Sequence, residues 1–279
     1  MTDPDRGFVR LPEGHLHYRS LGPATASRPL VMLHASPASS LSLLPLADLL
    51  HGQRPRVRLL LPDTPGNGLS ASPAVPTPDL ASYADMLDRM LDAMGIAEID
   101  LYGTHTGAHI AIEWAIARPH RIRTLILDGV ARLGPEERVE FLAHYAPPQK
   151  PDAAGTQFAW AWNMIRDQMI FWPHYKKDAA HLRKDGSFEP HLLHNLTLDL
   201  LNNLETYHQP YEAVFRHAPL ERLPLVTTPC LWLQGEGGPL DTDATAAITT
   251  MREVQVVHVT SPADRAAAIN GRLAAHGGG

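Results

Sequence analysis

The segment Gly103-Thr104-His105-Thr106-Gly107 sets an imidazole at the centre of a short run of small residues between an apolar stretch and a helical one. An unperturbed imidazole titrates near a pKa of about 6.5, so His105 in a pocket can serve as general base, general acid, hydrogen-bond donor or nucleophile. Asp128 closes another apolar run, where a carboxylate either caps the following turn or pairs with a pocket His. Two other segments are rich in polar and turn residues: His34-Ala35-Ser36-Pro37 and Asp63-Thr64-Pro65-Gly66-Asn67-Gly68-Leu69-Ser70. Two His pairs have ligand-like spacing, His105 with His109 and His191 with His194. Neither lies in an H-E-x-x-H pattern, and Cys230 is the single cysteine, so no metal and no cofactor is expected.

Apolar runs and helical periods alternate around these segments. Pro29–His34, Arg56–Leu61, Glu98–Tyr102, Arg123–Leu127, Pro229–Gln234 and Val254–Val259 are predicted strands. Leu41–Leu50, Asp79–Met94, Ala108–Arg118 and Pro262–Ala275 have helical spacing; Gly95 and Pro119 follow the second and third as stops. Such alternation predicts a mostly parallel sheet with helices on both faces. The three polar segments then fall at the carboxyl ends of consecutive strands, where open α/β sheets place ligands.

Taken together, these three motifs resemble the α/β-hydrolase superfamily. In that family an H-G-x-P-like loop supplies part of the oxyanion hole, a D-x-P-G-x-G-x-S loop follows the next strand, and G-x-S-x-G is the nucleophile elbow. The resemblance implies an α/β-hydrolase fold whose core is 1–133 and 221–279, with a helical cap inserted at 134–220. It also implies an oxyanion site at Ala35, Ser36 and Thr106, with His34 either anchoring the loop or touching substrate. The departures carry equal weight. His105 stands where the nucleophile is expected, and Gly238 where the acid is expected, flanked by Glu236 and Asp241. Thr260-Ser261-Pro262 runs straight into a helix where the family places its catalytic His. A few family members keep their acid at the position of Asp128, which makes it the candidate partner of His105.

The insertion loses the strand pattern and gains aromatics, with Trp160, Trp162, Arg166, Asp167, Phe171, Trp172 and His174 as its densest cluster. Arg166-Asp167 and Phe171-Trp172-Pro173 are similar to an R-D-x-x-x-F-W-P cap segment of hydrolase-like sequences with G-x-H-T-G elbows. Trp162, Arg166, Trp172 and His174 are therefore the expected cap side of a substrate pocket, one suited to a small apolar or aromatic carbonyl-type compound. The expected activity is hydrolase- or lyase-like, with His105 as general acid/base or nucleophile. The alternative is a non-catalytic homologue that binds a ligand or acts as a scaffold. A net charge of −6, from 24 basic and 30 acidic residues, gives no footprint for nucleic acid or an anionic membrane. The polar N-terminus and lone cysteine fit a cytoplasmic protein. The expected partner is a small-molecule substrate; a homodimer is the one macromolecular assembly left open.

Overall fold

The computed structural model describes residues 3–26, 28–183, 188–236, 245 and 249–275. Eight strands form one sheet: β1 (Asp5–Leu11), β2 (Gly14–Leu21), β3 (Leu30–Leu33), β4 (Leu59–Pro62), β5 (Ile99–Thr104), β6 (Ile122–Asp128), β7 (Cys230–Gly235) and β8 (Val254–Val259). Their spatial order is β1-β2-β4-β3-β5-β6-β7-β8; the first two pairings are antiparallel and the remaining five parallel. The central strands are short and buried on both faces, which is why they read as continuous apolar runs such as Leu30-Val31-Met32-Leu33. The β1–β2 hairpin was not assigned from sequence; its half-exposed edge residues break the apolar signal.

Chain order reverses beside β3, which has β4 on one side and β5 on the other. A crevice opens at such a switch point, outside the carboxyl ends of the strands. Packed against the sheet are α1 (Leu44–Gln53), α2 (Leu80–Ala93), α3 (Thr106–Ala117) and α9 (Pro262–Ala275). Helix α2 starts at Asp79, whose side chain accepts from Ser82 N at 2.8 Å.

Between β6 and β7 lie α4 (Pro135–His144), α5 (Thr156–Ile170), α6 (Pro190–Asn202), α7 (His208–Arg216) and the single turn α8 (Pro219–Arg222). Among the described residues no strand of the sheet falls in this stretch, and its only β pairing is the bridge Phe171–Leu182. Its apolar residues Phe141, Ile165, Leu200 and Phe215 share one cluster with Leu33, Leu101 and Trp114 of the sheet and α3. A second cluster fills the opposite sheet face beneath α1 and α9. No helix among the described residues is long and apolar enough to cross a membrane.

Candidate active site

The β5–α3 turn is fixed from three directions. Gly103 pairs in register with Leu33 of β3 and Leu127 of β6, and Thr104 with Asp128. The His105 amide donates to the Asp128 carbonyl at 2.9 Å. Gly107 lies so close to β3 that a Cβ there would stand 2.3 Å from the Leu33 carbonyl oxygen, so only glycine lets the helix meet the strand. His105 is thereby held at φ 49° and ψ −114°, the only positive φ outside glycine among the described residues. Its side chain faces a cavity of about 570 Å³ between the sheet edge and the inserted helices.

Helix α3 begins at Thr106, so the Thr106 and Gly107 amides have no acceptor within the helix and the positive end of its dipole points toward the cavity. The neighbouring loop differs from expectation. Ser36 N–H donates to Thr106 Oγ1 at 3.2 Å, and the Ser36 carbonyl accepts from Tyr211 OH at 2.9 Å. Ala35, Ser36 and Thr106 all line the cavity, but the Ser36 amide is engaged and not free to receive an oxyanion.

Asp128 lines the same wall. Its Oδ2 accepts from Tyr102 OH at 2.9 Å and from Arg265 Nε at 3.0 Å. Burial, and then the neighbouring Asp128 carboxylate, hold the Tyr102 hydroxyl far above the usual phenol range, so it stays protonated and donates. Neither Tyr102 nor Arg265 belongs to a motif that the sequence marks as part of the site. Arg265 comes from the first turn of α9, which starts directly after β8: Thr260 N donates to Asp264 Oδ2 at 3.1 Å and Asp264 N to Ser261 Oγ at 3.1 Å. The available signal was a basic residue one turn beyond the last strand, at the edge that already carried the other motifs.

Of the two roles open to His34, its position is that of a loop anchor, not of a pocket residue. It is fully buried and off the cavity wall, with Thr64 N donating to Nε2 at 2.9 Å and Nδ1 donating to the Ala35 carbonyl at 2.8 Å. It ties the two loops together, and burial lowers its pKa. The second loop is organised by Asp63, which accepts from Ser40 N and Leu69 N at 2.9 Å each and from His17 Nδ1 at 2.8 Å. Burial alone would raise the Asp63 pKa; these bonds and nearby His34 outweigh it and hold the carboxyl well below the usual range.

Three of the four cap residues expected at the pocket lie elsewhere. Trp162 is 42% exposed on the outer face of α5. Arg166 points outward and pairs with Asp167 at 2.7 Å, an anion also held by Lys177. His174 is buried behind the wall and donates from Nε2 to the Tyr145 carbonyl at 2.8 Å. Trp172 does line the cavity, in edge-to-face contact with Phe141 and Tyr145 at ring separations of 5.9 and 5.7 Å. The rest of the cap wall includes Gln168, Met169, Arg183, Leu192, Tyr211 and Phe215, so the lining is largely apolar and carries two arginines, Arg183 and Arg265. Helical spacing could not fix how α5 is rotated relative to the sheet, and of its residues Gln168 and Met169 are the ones that reach the cavity.

His109 accepts at Nε2 from Ala131 N at 3.1 Å, and its Nδ1 lies 2.8 Å from His217 Nδ1. Among the described residues no cluster of three or more His, Cys, Asp or Glu is arranged to hold a metal ion. Glu236 is exposed at the end of β7; Asp241 and Gly238 lie outside the described residues.

With that geometry in place, residues 28–247 match the family model described as alpha/beta hydrolase fold, and the chain belongs to this family. It is 34% identical over 142 residues to a 2-hydroxy-6-oxononadienedioate/2-hydroxy-6-oxononatrienedioate hydrolase of Dechloromonas aromatica, covering 47% of each chain. It is 36% identical over 72 residues to a 2-hydroxymuconate semialdehyde hydrolase of Pseudomonas putida, covering 26% of each. The chain thus spans half or less of the length of the curated relatives it matches. A hydrolase from Pseudomonas aeruginosa has the same fold at TM-score 0.70 and 20% identity, over 99% of both chains.

Proposed function

We propose that this chain is an enzyme acting on a small, largely apolar or aromatic carbonyl compound, with His105 in the nucleophile-elbow position as general acid/base or nucleophile. The observation that carries the reading is the placement of the His105 imidazole on the cavity wall at the amino end of α3. That turn lifts the imidazole into the cavity beside the Thr106 and Gly107 amides. A substrate carbonyl oxygen accepting from those amides would have its developing negative charge stabilised, while the imidazole takes a proton from substrate or water and later returns it. Asp128 fixes this turn through its carbonyl and holds Arg265 and Tyr102 with its carboxylate.

Arg183 and Arg265 suit a carboxylate on that substrate. The Dechloromonas aromatica relative is a hydrolase of hydroxy-oxo dienedioates, compounds carrying both a carbonyl and carboxylates. The decisive experiment is turnover of a panel of hydroxy-oxo dienoates by the wild type and by His105→Ala. Loss of at least a hundredfold in kcat/KM on the substitution is expected, with no labelling of any Ser by a fluorophosphonate. A specifically labelled Ser, or a fully active His105→Ala, would overturn the reading. One observation favours a second reading, a ligand-binding homologue without turnover: the Ser36 amide is engaged by Thr106, so one of the expected oxyanion donors is missing. On that reading the panel stabilises the protein against heat and none of it is converted.

A further inference from the structure

A chain of four ionisable side chains runs away from the cavity wall through α3 and the return of the cap to the core. His109 forms part of that wall; Glu113 lies one turn further along α3. His217 caps the end of α7 and Arg222 ends α8. Ala131 N–H can only donate, and it donates to His109 Nε2 at 3.1 Å. The proton of a neutral His109 is therefore on Nδ1, which faces His217 Nδ1 at 2.8 Å. His217 must accept there, so its own proton is on Nε2, which donates to Glu113 Oε1 at 2.9 Å. Glu113 in turn accepts a two-pronged hydrogen bond from Arg222, at 2.8 Å on each oxygen.

Every proton in this chain has its place, and no ring nitrogen is left to take another. A proton added to His109 would put Nε2–H against Ala131 N–H. A proton added to His217 would put Nδ1–H against the Nδ1–H of His109. Each is a buried donor–donor clash. Burial first, and then the nearby His217 and His105, push the His109 pKa well below the usual imidazole range. Burial opposes ionisation of Glu113, but the bonds from His217 and Arg222 bring it down to about 2, so the chain ends on a permanent anion.

We propose that Glu113, His217 and Arg222 are positioning residues that lock His109 as a neutral, Nδ1-protonated imidazole, leaving proton transfer at the cavity wall to His105. His109 follows His105 by one helical turn. Side chains so spaced are about 5–6 Å apart, and a charge on His109 would depress the proton affinity of His105 by about two pH units at an effective dielectric constant of about 20. The groups facing His109 are His105 and Glu113 on its own helix and His217 beyond α7, with Arg222 behind Glu113. The lock deepens the reading of His105 as the acid/base and rests on it for its purpose, though not for its existence.

The test is 15N-histidine NMR on the full chain across pH 5.5–8. In the wild type, His109 should keep a protonated Nδ1 and bare Nε2 and show no titration in that range. His217→Ala removes the acceptor that holds Nδ1 and lets the ring turn away from Ala131 N–H, so His109 should then titrate within that range, whereas Glu113→Gln, which keeps an acceptor oxygen for His217, should preserve the tautomer. Where a substrate is in hand, His217→Ala should also move the acid limb of the pH–kcat/KM profile by a pH unit or more, which a purely structural role would not do. A wild-type His109 that titrates, or that carries its proton on Nε2, overturns the proposal, as does a folded His217→Ala protein in which His109 is unchanged. The NMR result is read without turnover, so failure of the enzymatic reading leaves it standing.

Discussion

Gly129→Ala tests whether the His105 ring sits where the geometry puts it. Gly129 has φ +70°, and a Cβ there would stand 2.5 Å from His105 Nδ1 and 2.6 Å from Cε1. Ordinary carbon contacts are about 3.5–4.0 Å, so the ring must move by roughly 1 Å or the loop must yield. The left-handed backbone alone makes alanine about 1–2 kcal/mol unfavourable. Displacing the ring from its rotamer and crowding its neighbours adds about 1–2 kcal/mol more. In a His105→Ala background the second contribution vanishes and the first remains. Urea unfolding of the four proteins at pH 7.5 should therefore give about 2–4 kcal/mol for the substitution in the wild type and about 1–2 kcal/mol in the variant. The difference is a coupling energy of about 1 kcal/mol or more. A coupling below about 0.5 kcal/mol would mean that the ring does not rest on Gly129, and the account of the turn would be wrong.

Three further outcomes follow from the same structure. His105→Gly should unfold at higher urea than His105→Ala by about 1 kcal/mol, because glycine relieves a backbone strain of order 1–3 kcal/mol and gives part of it back as chain entropy; equal midpoints would show the turn to be unstrained. Asp199 of α6 has its pKa raised to about 6 by burial and then by repulsion from Asp63. Its folded form thus prefers the proton, its charge destabilises the fold above pH 6, and that penalty is relieved as pH falls from 6 to 4. Asp199→Asn should accordingly stabilise the protein at pH 7.5 by about 1–2 kcal/mol and lose that gain at pH 4; no gain at pH 7.5 would contradict it. Buried His34 and His109 work in the opposite sense, since their folded pKa values lie below the unfolded one. Their contribution is complete above about pH 7.5 and falls by up to roughly 1.4 kcal/mol per pH unit per imidazole below about 6.5. A flat stability profile from pH 7.5 to 5.5, measured on Asp199→Asn to remove the opposing carboxylate, would refute this.

The parallel strands were legible because both faces of each are buried, so that Leu30–Leu33 and Cys230–Gly235 need no alternation to be recognised. The hairpin at residues 5–21 lies at the exposed edge and was missed for the same reason. At the site, register pairs Thr104 with Asp128 and so brings the His105 turn to the end of β6, while the Asp128 carboxylate is taken by Tyr102 and Arg265. Cap residues were less legible, because helical spacing says which side chains share a face and nothing about which face turns inward. Trp162 and Arg166 looked like pocket residues by composition and proved to be the outer surface of α5. Arg265 and His217 escaped notice because each reaches its partner over more than a hundred residues of chain.

The strain at His105 does not by itself separate an enzyme from a binding protein. The β5–β6 register, the His105–Asp128 main-chain bond and the packing of Gly107 on β3 would impose the same φ on any residue there. What differs between the two readings is the consequence of charge beside the ring, and Arg265→Met isolates it. The substitution leaves the Asp128 carboxylate with Tyr102 alone. At roughly 7 Å and an effective dielectric constant of about 20, one unneutralised charge is worth about 2.4 kcal/mol, which the partial exposure of Arg265 reduces to about one pH unit. If His105 moves protons, the acid limb of kcat/KM should shift up by about that unit, because a proton on the ring is then better stabilised. If the cavity only binds, affinity for anionic ligands should fall by tenfold or more with no displacement of its pH dependence. An unmoved acid limb in an active Arg265→Met enzyme would show that His105 does not sense Asp128, and would remove the carboxylate from the catalytic account.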